Sequence, residues 1–305
     1  MSVDTLARRV VVKCDALQRA GLWPEVSRVR PRPWLNNFKG DTELALASAL
    51  LDRFVLFSDR SVNALLRGAF RNLIEASRPL TFNKSQNERA TQTLTSALFF
   101  TRLEGERPNP TDSGNLFCRK VRQELGIPEE RIVEPSEALD LAIAGCPIVL
   151  LDDFLGSGQQ LIKTWKREYR KTAPHSFEEA HTLKPVAVSY LCLMATTQGL
   201  RTVSSIPAKV FFCHEATSEH SITKITAAPG LPPGSDVQTE LNNFLRQHAS
   251  HLILKPYMKQ DRFDTLGFYN LGLTMAFEHS VPDASIPILW ARSTRSDWSP
   301  LMERI

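Results

Sequence analysis

Residues 147–161 read PIVLLDDFLGSGQQL, the stretch that most narrows what this chain can fold into. Ile148, Val149, Leu150 and Leu151 form an unbroken apolar run, the pattern of a strand covered on both faces. Asp152 and Asp153 follow where that strand emerges at its carboxyl end, the edge at which open α/β sheets bind ligands. Gly156 and Gly158 let the backbone turn sharply and bring its N–H groups close to an anion, and Ser157 is placed to cap a helix opening at Gln159. The positive end of that helix completes an anion site. Two adjacent carboxylates suit a different group, the vicinal hydroxyls of a ribose, which donate hydrogen bonds to them. A phosphate cradle beside a diol-reading acidic pair implies a ribose 5-phosphate moiety. The competing reading is a plain strand-to-helix turn with Asp153 merely capping. A lone GxG favours that reading; the full order of apolar run, paired Asp and GSG weighs against it.

The rest of the chain sets this segment in an α/β fold. Residues 4–19 suit a helix, and RVRPRPWLNNF is a proline-rich connector ending in an aromatic anchor. Residues 41–57 carry helically spaced apolar positions, with Asp41 or Thr42 as N-cap, and a second helix follows from Ser58 or Asp59. From about residue 95 short apolar runs alternate with helices. SALFF is a strand, TDSGNLFCRKVRQELG a helix capped at Asp112 or Ser113 and ended by Gly126, and PSEALDLAIAG a helix closed by Gly145. PIVLL is a strand, SGQQLIKTWKREYRKT a helix, PVAVSYLCLM a strand, TQGLRTVSSI a short helix and AKVFFC a strand. Nearly wholly apolar strands alternating with helices describe a parallel sheet covered on both faces. DVQTELNNFLRQHAS is a helix, and LTMAFEHSVPDASIPILWAR suggests two short strands around a Pro/Asp turn. TAAPGLPPGS, at 226–235, is a surface loop and candidate boundary. The expected division is a helical N-terminal region over 1–90 and an α/β domain over 91–305.

Composition excludes some classes. With 42% apolar and 23% charged residues the chain is globular, not disordered. A formal charge of +4 suits an anionic ligand without requiring nucleic acid. No apolar run reaches the roughly 18–20 residues that span a bilayer, and Lys13 and Asp15 interrupt the N-terminal run too early for a secretory signal. Cys14, Cys118, Cys146, Cys192 and Cys213 are dispersed and form no CxxC pair, so they read as reduced thiols of a cytoplasmic protein. Cys213-His214-Glu215 with His220 lacks a standard zinc spacing, and a strand ending in polar residues is the better reading.

The motif resembles the signature of the type I phosphoribosyltransferases: an apolar strand, two acidic residues, two variable ones and a Thr/Ser-Gly-x-Thr phosphate loop. Asp152 and Asp153 stand at the acidic pair, Ser157 and Gly158 at the first loop pair, and Gln160 at the final Thr position. The resemblance implies that Asp152 and Asp153 hold the ribose hydroxyls and that Leu155, Gly156, Ser157, Gly158, Gln159 and Gln160 wrap the 5-phosphate. It further implies Mg2+ on the pyrophosphate side, with Ser113 and Gly114 nearest the pyrophosphate. Gln159 and Gln160 depart from the small residue and the Thr of the enzymes, which leaves binding intact where backbone N–H groups dominate but puts turnover in doubt. Arg102 and Arg107 are the candidates for a basic loop. WLNNF near the start, with FEHSVPDASIPILW and WSPL at the end, is similar to a divergent branch, the phosphoribosyltransferase-like proteins of bacterial conflict and anti-phage loci, some of them retron-associated. That branch implies a defence effector or regulator, with a partner protein or retron nucleic acid.

Three functions follow as expectations. The first is a phosphoribosyltransferase-like protein acting at the anomeric carbon of phosphoribosyl pyrophosphate or a nucleotide. The second is a sensor that keeps the pocket without turnover. The third is a scaffold, in which Lys163, Lys166, Arg167, Arg170 and Lys171 line one face of the helix after the loop and track phosphates or an acidic partner. A solvated outer face is the simpler account of those residues. His279 with Asp283, and Asp297 beside Trp298, are further candidates, although a satisfied turn or core histidine is the plainer reading.

Overall fold

A computed structural model describes residues 2–24, 28–77, 84–105, 113–254 and 263–304. Helices α1 (Val3–Arg19), α2 (Pro31–Leu35) and α3 (Asp41–Arg53) precede strand β1 (Val55–Phe57), and α4 (Asp59–Ser77) and α5 (Lys84–Ala97) lead to β2 (Phe99–Arg102). Then come α6 (Ser113–Leu125), α7 (Pro135–Ile143), β3 (Ile148–Leu151), β4 (Phe154–Leu155), α8 (Gln159–Lys166) and α9 (Phe177–Leu183). They are followed by β5 (Val188–Leu191), β6 (Met194–Thr196), α10 (Thr197–Val203), β7 (Lys209–Phe211) and β8 (His214–Ala216). The tail adds α11 (Val237–Ala249), β9 (Phe263–Asp264), β10 (Gly267–Phe268) and β11 (Met275–Phe277). These elements form two compact units, one of Met1–Ser61 with Thr217–Ile305 and one of Val62–Ala216. The 1–90 and 91–305 division does not coincide with these units, because the tail shares its core with the N-terminal helices.

The unit Val62–Ala216 is an α/β layer structure with a four-stranded, all-parallel sheet in the order β2-β3-β5-β7. Ile148, Leu150 and Tyr190 point to one face, where they pack with Ala138 and Leu139 of α7, Leu161 and Trp165 of α8, and Phe177 of α9. Val149 and Leu151 alternate to the other face and are equally buried. There Phe70 of α4 lies against Phe100 of β2 with ring centroids 6.2 Å apart, and α6 runs beside β2 and β3. Covering both faces is what the apolar runs demand. Gly126 and Gly145 both adopt positive φ just past their helices, as the helix-ending role expects.

The strands are shorter than the apolar runs suggest. β3, β5 and β7 each stop and resume two residues later as β4, β6 and β8, which form a second parallel sheet in the order β4-β6-β8. The ladder persists through the interruption: Asp152 N donates to Leu191 O at 3.1 Å, and Leu193 N donates to Asp153 O at 3.1 Å. Asp152 and Asp153 occupy this interruption. Likewise α5 continues through Ala97, so the strand expected over SALFF begins at Phe99.

The unit Met1–Ser61 with Thr217–Ile305 buries Leu6, Val10 and Cys14 of α1 and Leu46, Leu50 and Leu51 of α3 against Leu241, Phe244 and Leu245 of α11. The helix expected over 41–57 ends at Arg53. Phe54-Val55-Leu56-Phe57 suits a pleated surface, and Val55–Phe57 pairs in parallel with Met275–Phe277 of the tail. The second strand expected in LTMAFEHSVPDASIPILWAR is instead a 3-10 turn at Pro287–Leu289, with Pro287 at its first position. All five cysteines are free thiols. Burial pushes Cys14 up to about 12 and Cys118 up to about 11, so neither ionises near neutral pH.

Candidate functional site

The site begins with a carboxylate that the sequence alone leaves undistinguished from its neighbour. Asp152 is 3% exposed, whereas Asp153 is half-buried. Asp152 Oδ1 accepts from Ser113 Oγ at 2.8 Å and from Asp153 N at 2.9 Å, and Oδ2 accepts from Tyr190 Oη at 3.4 Å. Ser113 is the first residue of α6 and is thus brought to the acidic pair. Gly114 packs so tightly on β2 that a Cβ there would stand 2.6 Å from Leu103 O.

Burial, and then the charge of Asp153, hold the Asp152 carboxyl well above the usual aspartate range, opposed by the bonds from Ser113 and Asp153 N. The native state therefore keeps a proton that the unfolded chain releases. This group's contribution to stability is full below the ordinary Asp value of about 3.9 and declines as pH rises from there towards the raised native value. Asp152→Asn, isosteric with the neutral acid, is expected to remove that decline. The unfolding free energy of the variant, measured in urea, should gain on that of the wild type as pH rises from about 4 to 8. Parallel pH curves for the two proteins would rule this out.

The loop that follows is held by α10. Thr196 Oγ1 donates to Gly156 O at 2.5 Å and accepts from Gly199 N at 2.8 Å, so one hydroxyl caps α10 and pins the loop. Gly199 lies directly on the loop backbone: a Cβ there would stand 2.5 Å from Gly156 O and 2.8 Å from Leu155 O. Gly158, with φ +81°, is the N-cap of α8, and its own Cβ would meet Val203 Cγ1 at 2.8 Å and Gly199 O at 3.0 Å. Ser157 is buried, and its Oγ accepts from Gln159 N at 3.3 Å, satisfying the first amide of α8 from one position before the cap. Leu155 is buried, Gln159 half-buried and Gln160 exposed.

Asp152, Asp153 and Ser113 thus meet at the end of β3, Gly114 lies against the end of the neighbouring β2, and Gly156–Gly158 join β4 to α8. Sequence reasoning missed Thr196, Gly199 and Tyr190. The signal available was the TTQG stretch, where a Thr stands three residues before a Gly at the start of a short helix.

Other candidates fall elsewhere. Arg102 donates to Glu134 Oε1 at 2.7 Å and lies 3.5 Å from Glu104, so its guanidinium is committed to carboxylates; Arg107 and Asp112 lie outside the described residues. The helix expected through residue 172 ends at Lys166, and the basic stripe disperses. Arg167 bonds Glu104 at 2.9 Å and Gly105 O at 2.7 Å, Arg170 bonds Asp140 at 3.0 Å, and Lys166 lies 3.5 Å from Glu178. Glu215 of β8 accepts from Thr197 Oγ1 at 2.6 Å. In the other unit, His279 stacks on Phe277, Asp283 pairs with Arg304, and Asp297 pairs with Arg295 at 2.9 Å. Among the described residues no helix is long and apolar enough to cross a membrane.

A parallel sheet with an acidic pair and a glycine loop at the end of one strand is the arrangement of a phosphoribosyltransferase-like protein. The PRTase-CE family profile matches residues 31–304, and the chain belongs to that family, phosphoribosyltransferase-like proteins of conflict systems. Two solved chains are similar in structure. One is the orotate phosphoribosyltransferase from Aeropyrum pernix, at 11% identity and a TM-score of 0.25, covering 41% of this chain and 62% of that one. The chain thus spans less than two thirds of that relative's length. No curated protein matches it.

Proposed function

We propose that the protein binds a ligand containing ribose 5-phosphate, phosphoribosyl pyrophosphate or a nucleotide, and acts as an effector or regulator in a bacterial defence system. The observation that carries this reading is the convergence at the end of β3. A half-buried carboxylate, Asp153, adjoins a glycine loop locked by Thr196 and Gly199 and opening onto the N-terminus of α8. A loop fixed in advance binds an anion without first ordering itself. Asp153 is the member of the pair with access to ribose hydroxyls. The same oxygen donor suits Mg2+, which is held by one or two carboxylates together with substrate phosphates. Bound there with pyrophosphate, the ion would neutralise charge on the leaving group.

The test uses the full chain with Mg2+ and phosphoribosyl pyrophosphate, ribose 5-phosphate or a nucleotide panel, following thermal unfolding and pyrophosphate release. Ligand at about 100 times its Kd is expected to stabilise the fold by about 2.7 kcal/mol. Asp153→Asn is expected to weaken binding at least about tenfold, since a hydrogen bond to a charged group contributes about 1.5–3 kcal/mol. Release of pyrophosphate would mark substitution at the anomeric carbon, by water or by an acceptor, and stabilisation without release a sensor. Absence of stabilisation by every phosphoribosyl compound would overturn the ligand reading.

A further inference from the structure

Within the acidic pair, we propose that Asp152 is a positioning residue, not a ligand contact, and that its buried carboxyl clips Ser113, at the start of α6, to the backbone of Asp153. The proposal rests on the ribose 5-phosphate reading and divides labour that the resemblance assigns to both carboxylates. A residue that hydrogen-bonds a ribose diol must present an oxygen to the pocket, and Asp152 is 3% exposed. Its Oδ1 already accepts two donors, Ser113 Oγ at 2.8 Å and Asp153 N at 2.9 Å. Its Oδ2 faces Tyr190 Oη, which is itself fully buried. The ladder bond from Asp152 N to Leu191 O keeps Asp152 in register with β5, beside Tyr190.

Such a clip has a use. Asp153 sits where β3 is interrupted, so regular pairing does not by itself fix its backbone. The Asp152 carboxyl supplies a constraint from its own side chain and ties it to α6. Asn keeps the shape of the side chain and an oxygen that can accept from Ser113 Oγ and Asp153 N.

The experiment has two arms on the full chain. Without ligand, Ser113→Ala is measured by urea unfolding in the wild-type and Asp152→Ala backgrounds. The clip predicts that Ser113→Ala raises the unfolding equilibrium constant about fivefold in the first and leaves it unchanged in the second. Equal effects in both backgrounds would overturn it. With phosphoribosyl pyrophosphate and Mg2+, Asp152→Asn is expected to keep the dissociation constant within about threefold of wild type. Ser113→Ala should raise it about fivefold and Asp153→Asn at least about tenfold. Loss of binding in Asp152→Asn equal to that in Asp153→Asn would make Asp152 a ligand contact and overturn the positioning role. If wild type binds no phosphoribosyl compound, the ligand reading fails and the positioning role with it, while the unfolding cycle alone decides the clip.

Discussion

Gly199→Ala is expected to lower the unfolding free energy by about 2 kcal/mol and to weaken phosphoribosyl pyrophosphate binding at least about tenfold. Two effects oppose each other. Alanine is the better helix former by about 1 kcal/mol, and Gly199 lies inside α10, so propensity alone predicts stabilisation. Against it, the new methyl would stand 2.5 Å from Gly156 O, 2.8 Å from Leu155 O and 3.0 Å from Leu155 Cγ. The first two of these are backbone carbonyls of the loop, which cannot rotate aside as a flexible side chain can. Overpacking of a close-packed site costs about 1–3 kcal/mol, and a contact with backbone falls at the upper end. The clash therefore wins. Relief requires α10 to withdraw or the loop to shift, and either movement disturbs the bonds from Thr196 to Gly156 and from Gly199 to Thr196. Binding suffers beyond what stability alone would take. Gly40→Ala is the control: a Cβ there meets nothing within 4 Å, and its effect should stay under about 1 kcal/mol. Urea unfolding and ligand titration check both variants. A Gly199→Ala protein as stable as wild type, with unchanged affinity, would show that the contact is loose.

The same loop shows which parts of the fold are legible in sequence. The order of apolar run, acid pair and glycine loop locates β3, the turn and α8, because each step is a local choice of backbone. The inequality of Asp152 and Asp153 is not in their identity but in tertiary partners, Ser113 and Tyr190, which no local pattern connects to Asp152. The apolar run stops at Leu151 while the ladder does not. Long-range pairing is the second thing missed. Val55–Phe57 extends an apparent helical period, and only its partner Met275–Phe277 makes it a strand. Ion pairs are the third. Lys163 to Lys171 share a helical face only while the helix lasts, and it ends at Lys166. Arg167 and Arg170 then find Glu104 and Asp140, which no spacing rule connects to them.

Trp34→Ala is expected to remove about 3–5 kcal/mol of stability, the loss typical of a buried aromatic replaced by a methyl group. Against a total of about 5–15 kcal/mol that is a large fraction of the stability. The size follows from the setting. Trp34 is fully buried, its ring meets Phe38 edge-on with centroids 5.0 Å apart, and Phe38 in turn touches Phe244, His248 and Trp298. Its indole N–H donates to Ile288 O at 2.9 Å, within the PILW turn of the tail. Three residues on, Asn37 grips Ser299 in both directions, Nδ2 donating to its carbonyl at 2.7 Å and Oδ1 accepting from its N–H at 2.9 Å. Arg30 N donates to Leu301 O at 2.8 Å. The segments WLNNF, PILW and WSPL, whose joint presence resembles one branch of the family, are therefore parts of one clasp. Their association is one of packing and backbone bonding. Trp34→Phe separates the two contributions: it keeps an aromatic ring but leaves Ile288 O without its donor, so about 1–2 kcal/mol should be lost from the bond with some further loss from the smaller ring. Urea unfolding of the three proteins reads these values directly. A Trp34→Ala protein within about 1 kcal/mol of wild type would mean that the clasp does not hold the tail to the N-terminal helices, and that their shared core is kept by α3 and α11 alone.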